Sequence, residues 1–546
     1  MRSTLARLAP HLVLVGCVVL AGCIGSMPPP PQLTVTSPQR GMVQTQAGEV
    51  MVQGTALPGA DGAAIAKVTV NDVPATLAAD GSFTAVVDIP AGAMLLETVA
   101  TSSEGGSATD ARAVQIGELR PVGSGIDRAV TAALSADAFA KLSAAAGPLI
   151  KTANLTALLA PMQPIANLGD DLVNLKLSIT SLTLGDAKIA LTPVDGGLKF
   201  SAELDGLSVA ANAVYAGALV PDGSSAITIT ADQVTIAGTL VVTPAGTAGF
   251  TTKIASPAVH TTNLKLQASG LVGQVLDLLD SNLDSTIQSI ATSTAESAME
   301  PLINDALGAL AGPQQIDVLG NKLDLQASPS AVTFSQAGAL VTMNVAAKIE
   351  GSEASPGYIF TPNGTPVMNV TTGIQLGLAD DLLNELLAEI HALGLLDIHI
   401  DQDFGPFDGA EIKLTVPPMI TANTPDGSMR LVLGDMVASF SEHGSPVLSA
   451  AINAQVDLSI LRGPTPQDIA LQFGKVHLFV NVLGDPANPN GGDEVNGAAT
   501  AGIALQLDSL SQFLITVPVP SVAGVTLDNL ALHADAGYVV VSGQVH

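Results

Sequence analysis

The chain is poor in aromatic residues, in charges and above all in basic residues. It has no tryptophan, and aromatic residues make up 3% and charged residues 13% of its 546 residues. Twenty lysines and arginines stand against 49 aspartates and glutamates, which gives a formal net charge of −29. A surface this acidic repels phosphate backbones, so we exclude nucleic acid as a partner. It also provides no general attraction to anionic lipid headgroups.

The sequence also lacks the short motifs of common catalytic sites. It contains no G-x-S-x-G, no H-E-x-x-H and no phosphate-binding G-x-x-x-x-G-K-[ST] string. His391 and His399 cannot share one helical face, because Leu393-Gly394 interrupts the helix between them. We therefore predict that the chain is not an enzyme and has no cofactor.

One loop, at residues 484–497, is rich in oxygen ligands. Its members are Asp485, Asn488, Asn490, Asp493 and Glu494. Their spacing does not match the calcium-binding loop of an EF-hand. We interpret the segment as a solvated turn and predict no metal site.

Only two cysteines are present, Cys17 and Cys23, and both lie near the N-terminus. Two arginines precede the apolar run Leu12–Leu20, and the string Leu20-Ala21-Gly22-Cys23 follows it. This order resembles the signal peptide and lipobox of bacterial lipoproteins, which implies cleavage after residue 22 and a diacylglycerol on the Cys23 sulfur. The alternative is a plain secretory peptide with a chance cysteine. Either way, residues 1–22 are predicted to be removed, and no intramolecular disulfide can form.

The anchor is predicted to be the lipid alone. No stretch after the signal reaches the roughly 18 uninterrupted apolar residues of a transmembrane helix. Residues 23–32, with Pro28–Pro31 in a row, are predicted to be an extended stalk. These features place the protein in the bacterial cell envelope, at the outer membrane, and leave open whether it faces the periplasm or the outside.

Residues 33–117 show short alternating segments separated by turn signals such as Asp80-Gly81 and Gly105-Gly106. Five to seven strands at this spacing predict a β-sandwich. The strings VTVNDVPATLAADGSF and ETVATSSEGGSA resemble the immunoglobulin-like modules of bacterial surface proteins, which implies a spacer. A carbohydrate site is disfavoured, because Phe83 is the only aromatic residue of this segment.

The remainder is predicted to alternate between helices and strand meanders. Asp127–Leu159 is rich in alanine and leucine and has a helical period, and alternating strands follow up to about residue 268. Leu271–Ala311 then has apolar residues at steps of three and four, which predicts a helix of about 60 Å. A second round of strands contains a predicted helix at Ala379–Leu393.

Several segments of this region resemble the bactericidal/permeability-increasing protein family of tubular lipid-binding (TULIP) proteins. They are Gly197–Ser201, Leu207–Ala211 and Asn263–Leu266 before the long helix, then Gln375–Leu396, Thr516–Pro520, Val525–Leu530 and Gly537–Gly543. The resemblance covers residues 120–546 and implies two units, 120–315 and 316–546. Each unit would be a twisted antiparallel sheet wrapped on a helix. An apolar tunnel between the sheet and the helix would hold acyl chains.

We therefore predict a mostly β fold with long helices (α+β), in which an immunoglobulin-like sandwich precedes a two-unit TULIP body. Apolar residues make up 47% of the chain and the mean hydropathy is +0.44, which fits either large cores or an interior apolar surface. The predicted lipid-binding residues are Leu276, Leu279, Leu283, Ile287, Leu382, Leu386 and Ile390.

Three features depart from the family. The chain is acidic where bactericidal members carry a basic tip, it cannot form the disulfide of animal members, and no second helix is evident between Leu483 and Ile515. The predicted function is binding or transfer of lipid by an anchored lipoprotein. The alternative is a structural or adhesive surface protein whose cores are filled.

Overall fold

The structure is a computed structural model, which describes residues 28–545 with gaps and does not describe residue 546. The gaps are 153, 161–162, 269, 272, 309–311, 319, 369–370, 402, 404–405, 423–428, 463–468, 485–492 and 515–526. The predicted signal peptide and Cys23 lie outside the described residues, as does most of the oxygen-rich loop.

Residues 32–116 form two sheets around one core, and we call this segment the sandwich module. Its strands are β1 Gln32–Ser37, β2 Met42–Gln44, β3 Gly48–Leu57, β4 Ile65–Val70, β5 Val73–Pro74, β6 Thr76–Leu77, β7 Ser82–Ile89, β8 Gly92–Ser102 and β9 Ser107–Ile116. One sheet has the order β1-β3-β7-β6 and the other β2-β9-β8-β4-β5. Alternate side chains point inward, so Val52 and Phe83 of the first sheet share a core with Val70 and Leu96 of the second.

The next part of the chain builds a sheet with a long helix on it. Its elements are β10 Glu118–Arg120, β11 Ile126–Ser135, α1 Ala136–Thr152, α2 Leu155–Leu159, β12 Ala166–Gly169, β13 Asn174–Thr183, β14 Asp186–Val194, β15 Gly197–Gly217, β16 Val220–Pro244, β17 Phe250–Thr262, β18 Lys265–Gln267 and α3 Gly273–Gly308. Strands β12-β13-β15-β16-β17 form one antiparallel sheet, here called the first-unit sheet. Helix α3 packs against this sheet and against α2.

The last part builds a second sheet and completes a third. Its elements are β19 Gly312–Val318, β20 Asn321–Ser335, β21 Gly338–Ile349, β22 Tyr358–Phe360, β23 Ile374–Ala379, α4 Asp380–Ala392, β24 Ile398–Ile400, β25 Gly409–Lys413, β26 Met419–Thr421, β27 Met429–Glu442, β28 Ser445–Arg462, β29 Ile469–Val482, α5 Asp493–Leu514, β30 Leu527–Asp535 and β31 Tyr538–Val545. Strands β24-β25-β27-β28-β29 form the second-unit sheet. The central sheet, in the order β19-β20-β21-β11-β23-β31-β30, joins strands from both halves of the body.

The helix predicted at Asp127–Leu159 is wrong in its first third, which is strand β11. Residues Ala129–Ser135 are all buried, because β11 lies between β21 and β23 in the middle of the central sheet. A strand buried on both faces shows no alternation of polar and apolar residues. The run of alanines and leucines in β11 therefore predicts a helix when only the sequence is considered.

The second helix that the sequence did not reveal is present as α5, which packs against β29 and β24. Its first turns contain Gly497 and a later turn contains Gly502, and glycine lowers helix propensity by about 1 kcal/mol per residue. Gly502 serves packing, since a Cβ there would lie 2.2 Å from Cδ1 of Ile412.

The prediction of an α+β fold built on long helices is wrong. Most of the described residues lie in strands, and helices account for a much smaller share. Among the described residues, α3 has 36 residues, while the other four helices have 22 or fewer. The molecule is mostly β because β11 and the long hairpins of β15, β16 and β28 take up much of the chain. No helix within the described residues is long and apolar enough to cross a membrane.

Candidate lipid-binding site

An apolar gap lies between the first-unit sheet and helices α2 and α3. All of its lining side chains are hydrocarbon: Leu155, Leu182, Leu184, Leu204, Leu207, Val209, Val234, Ile287, Ile290 and Ala291. The sheet supplies its side from β13, β15 and β16, and the helices supply the other. No charged or hydrogen-bonding side chain is among these residues, so a bound group would be held by burial of apolar surface alone.

The gap forms because a sheet and a helix with different periods face each other. Every second residue of β15 points inward, as Leu207, Val209 and Ala211 do. On α3 the inward residues recur at steps of three and four, and Asp277, Asp280 and Asp284 stay exposed on the other side. Small side chains such as Ala291 then leave space that neither surface fills.

The open core of the gap is small. About 30 Å³ is accessible to the centre of a water-sized sphere, which is room for roughly two water molecules at about 10–15 Å³ each. Because its lining is apolar, such a space stays dry.

The predicted residues of α3 are distributed along one face with one exception. Ile287 lines the gap. Leu279 and Leu283 are buried on the same face, towards the start of the helix. Leu276 lies outside this face, with 38% of its surface exposed.

The predicted residues of α4 lie elsewhere. Leu382, Leu386 and Ile390 are buried in the main core and are not among the residues that line the gap. Helix α4 contacts β21 and β22 on one side and β26 on another, so that it is enclosed by several chain segments. The structure therefore places the two sets of predicted residues on different helices, and of the seven only Ile287 lines the gap.

Sequence reasoning missed a set of buried acidic residues on α4. Asp380, Asp381, Glu385 and Glu389 are each at most 1% exposed. In the sequence they resemble the solvated face of an amphipathic helix. Nothing in the local pattern indicates that the chain returns at residues 349–361 to cover them.

These carboxyls accept hydrogen bonds from backbone groups of distant segments. Thr361 N donates to Oδ1 of Asp381 at 2.9 Å and Ala422 N to Oδ2 of Asp380 at 3.0 Å. Gly123 N donates to Oε1 of Glu385 at 2.6 Å.

Glu389 binds its neighbours in the same way, since its Oε2 accepts from Ile349 N and from the hydroxyl of Ser352. The second oxygens, Oε2 of Glu385 and Oε1 of Glu389, are buried and have no hydrogen-bond partner among the described residues. We call Asp380, Asp381, Glu385 and Glu389 the α4 carboxyls.

Burial raises the pKa of every α4 carboxyl, because removal from water penalises the charged form. The pKa is raised to about 6 for Asp380, about 7 for Asp381 and about 8 for Glu385, and that of Glu389 is raised as well. Backbone hydrogen bonds oppose the shift in each case, and repulsion between Glu385 and its neighbours Asp381 and Glu389 adds to it. The described residues contain no group of histidine, cysteine, aspartate and glutamate side chains arranged to hold a metal ion.

Comparison with known proteins gives structural similarities only. No protein-family model matches the chain, and no curated protein matches it. The crystal structure of lipopolysaccharide binding protein is similar over 77% of this chain and 99% of that chain, with 15% identity and a TM-score of 0.37. The crystal structure of P47 of Clostridium botulinum E1 is similar over 78% of this chain and 100% of that chain, with 8% identity and a TM-score of 0.24. At these scores the family resemblance of residues 120–546 stays a resemblance, and the lipobox and the immunoglobulin-like module stay predictions.

Proposed function

We propose that this chain is an envelope lipoprotein that binds the hydrocarbon chain of a lipid beneath α3. The observation that carries the proposal is the gap between α3 and the first-unit sheet, which is lined by apolar side chains alone. A polar headgroup would find no partner there, so it stays outside while the alkyl chain is buried. Each buried CH₂ contributes roughly 0.8 kcal/mol, so a chain of ordinary length supplies substantial affinity.

Binding requires that α3 moves away from the sheet, because the gap in this structure is smaller than an alkyl chain. The described part of α3 is suited to such a movement. Its side-chain hydrogen bonds run within the helix, from Ser281 and Asn282 to the Leu278 carbonyl and from Ser285 to the Asn282 carbonyl. Apolar contacts hold it on the sheet, and an alkyl chain can replace these contacts with similar ones.

The test is a pair of tryptophan substitutions on the same helix. Ile290 lines the gap, so Ile290→Trp should fill it, reduce uptake of a fluorescent fatty acid and leave the melting temperature of the delipidated protein unchanged or higher. Leu279 is fully buried and does not line the gap, so Leu279→Trp should overpack and cost about 1–3 kcal/mol of stability.

The result that contradicts lipid binding is equally specific. Uptake that is absent in the unmodified protein, or that Ile290→Trp leaves unchanged while lowering the melting temperature, would mean that α3 sits on a filled core. The protein would then be a structural or adhesive scaffold. Mass spectrometry of the purified protein under denaturing conditions gives an independent reading, because a lipid carrier should retain lipid.

The remaining parts of the proposal rest on the sequence. Leu20-Ala21-Gly22-Cys23 supports a lipid anchor on Cys23 and a place in the bacterial envelope, at the outer membrane. The absence of catalytic motifs supports a binding protein and not an enzyme. The anchor with its location and the non-enzymatic role are therefore proposed here, as the lipid ligand is.

A further inference from the structure

The second-unit sheet contacts the sandwich module along the free edge of β9. Strand β9 pairs with β8 along its length, but on its other side β2 reaches only Val114–Ile116. The backbone groups of residues 109–113 on that side therefore lack a neighbouring strand. An edge of this kind is normally a liability, since it can pair with another chain.

Three side chains of the second-unit sheet take the place of the missing strand. Asn481 donates to the Thr109 carbonyl at 2.8 Å and accepts from Ala111 N at 3.1 Å. Asn453 donates to the Ala111 carbonyl at 3.0 Å. Asp435 accepts from Ala113 N at 3.0 Å.

Asp435 also binds the β1–β2 connection of the module. Its carboxylate accepts from Gly41 N at 2.7 Å and from Nη1 of Arg40 at 2.9 Å. The same Arg40 bonds Asp110 of β9 at 2.9 Å. Asp435 is fully buried and has a φ of +43°, a conformation that costs free energy for a residue other than glycine.

The backbone next to Asp435 is fitted closely to the module. A Cβ at Gly434 would lie 2.3 Å from the Cβ of Ala113, so no larger residue fits there. Beside this contact, Leu95 and Ala113 of the module share a small buried cluster with Val432 of the second-unit sheet. The contact therefore combines a charged pair, hydrogen bonds to a strand edge and apolar packing.

We propose that the sandwich module is a fixed part of the second unit, docked through the edge of β9, and not a hinged spacer. Opening the contact would break the ion pair of Asp435 with Arg40 and the hydrogen bonds of Asp435, Asn453 and Asn481 to β9, and it would expose the apolar cluster around Val432 to water. Each hydrogen bond adds a modest net free energy, and these bonds together with the apolar burial keep the interface closed.

The docked module fixes where the N-terminal segment leaves the protein. The backbone oxygens of Pro29 and Pro30 lie against Gly106 and Gly59, close enough that a Cβ at either glycine would be 2.3 Å away. The end of the stalk thus follows the module surface. For the anchored protein proposed above, the N-terminal segment therefore joins the body at a defined point on the module.

The test measures the distance between the module and the second unit in the full chain. Spin labels at Val86→Cys in the module and Val447→Cys near the start of β28 occupy exposed positions, 44% and 53% exposed, in a chain with Cys17 and Cys23 replaced by serine. We expect one narrow distance distribution. Asp435→Ala should broaden it, and Glu442→Ala, an exposed carboxylate at the end of the same strand, should leave it unchanged.

A milder variant keeps the test informative if Asp435→Ala does not fold. Asn481→Ala removes only two hydrogen bonds, and it should increase hydrogen exchange at the amide of Ala111 several-fold while the rest of the module stays protected. Two results would overturn the proposal. One is a broad distance distribution in the labelled chain that keeps Asp435 and Asn481, and the other is rapid hydrogen exchange at the amides of Ala111 and Ala113 in the unsubstituted protein. Neither measurement involves lipid, so its outcome is independent of the proposed function.

Discussion

The α4 carboxyls predict that this protein loses stability as the pH rises through neutrality. Their pKa values are raised in the folded state, so the folded protein binds more protons than the unfolded chain between about pH 4 and pH 8. Stability changes with pH in proportion to the protons bound by the unfolded state minus those bound by the native state. That difference is negative here. The stabilising contribution is complete below the unfolded pKa values and is lost as the pH passes the raised ones.

Glu385 should account for much of this dependence. With a folded pKa of about 8 and an ordinary value of 4.5 when unfolded, it contributes a loss on the order of 3 kcal/mol between pH 5.5 and pH 8.5. Glu385→Gln keeps an oxygen to accept from Gly123 N and cannot ionise. We expect its pH dependence to be shallower than that of the unmodified protein. Its stability at pH 5.5 should be somewhat lower, because the new amide places a buried NH₂ group where Oε2 of Glu385 has no hydrogen-bond partner among the described residues.

Tyrosine fluorescence provides the assay. The chain has no tryptophan and three tyrosines. Two of them, Tyr358 and Tyr538, lie near α4, since, besides burial, the charges of α4 carboxyls help to raise the pKa of each hydroxyl. Urea unfolding followed by this signal at pH 5.5, 7.0 and 8.5 gives the free energy of unfolding around α4. Glu442→Gln, at an exposed carboxylate, is the matched control and should keep the pH dependence of the unmodified protein. Stability that is constant or rises over this range, or an identical slope in Glu385→Gln, would refute the reasoning.

Two further predictions concern the N-terminal part. Cys23→Ser should move the protein from the membrane pellet to the soluble fraction, and retention in the pellet without another lipid would contradict the anchor. Deletion of residues 33–116 should lower the melting temperature of the remaining chain, because it removes the hydrogen bonds of Asp435, Asn453 and Asn481 to β9 and exposes Val432 to water. Fatty-acid uptake under α3 should persist in that shortened chain at temperatures where it is folded, and an unchanged melting temperature would show that the module contributes nothing to the second unit.

The features predicted well from the sequence are those in which one face of an element is buried. The alternation in β13 and β15 and the three-to-four spacing in α3 report directly which side of each element meets the core. Helix α4 was placed to within a residue at each end because its apolar residues have the same spacing. In these cases local pattern and tertiary environment agree.

The features that were missed depend on contacts between residues far apart in the chain. Strand β11 looks helical because both of its faces are buried by strands from the second half of the chain. The α4 carboxyls look solvated because the segments that cover them, around Gly123 and Ser352, are not adjacent in sequence. The module looks like a spacer because its partner residue Asp435 lies more than 300 positions away. No local period can report such contacts.

Among the described residues, the two units differ in the way their helices are held. Helix α4 is bound through carboxyls and Asn384 to backbone groups of several segments, including both N and O of Ile420. Lifting it would break these bonds inside the protein, at a cost of roughly 1–3 kcal/mol for each polar group left unpaired. The described part of α3 has no comparable bonds to its sheet, and its contacts are apolar. An alkyl chain can substitute for apolar contacts but cannot substitute for hydrogen bonds. For the lipid-binding protein proposed above, we therefore expect the first unit to open and the second unit, with the module docked on its sheet, to stay closed.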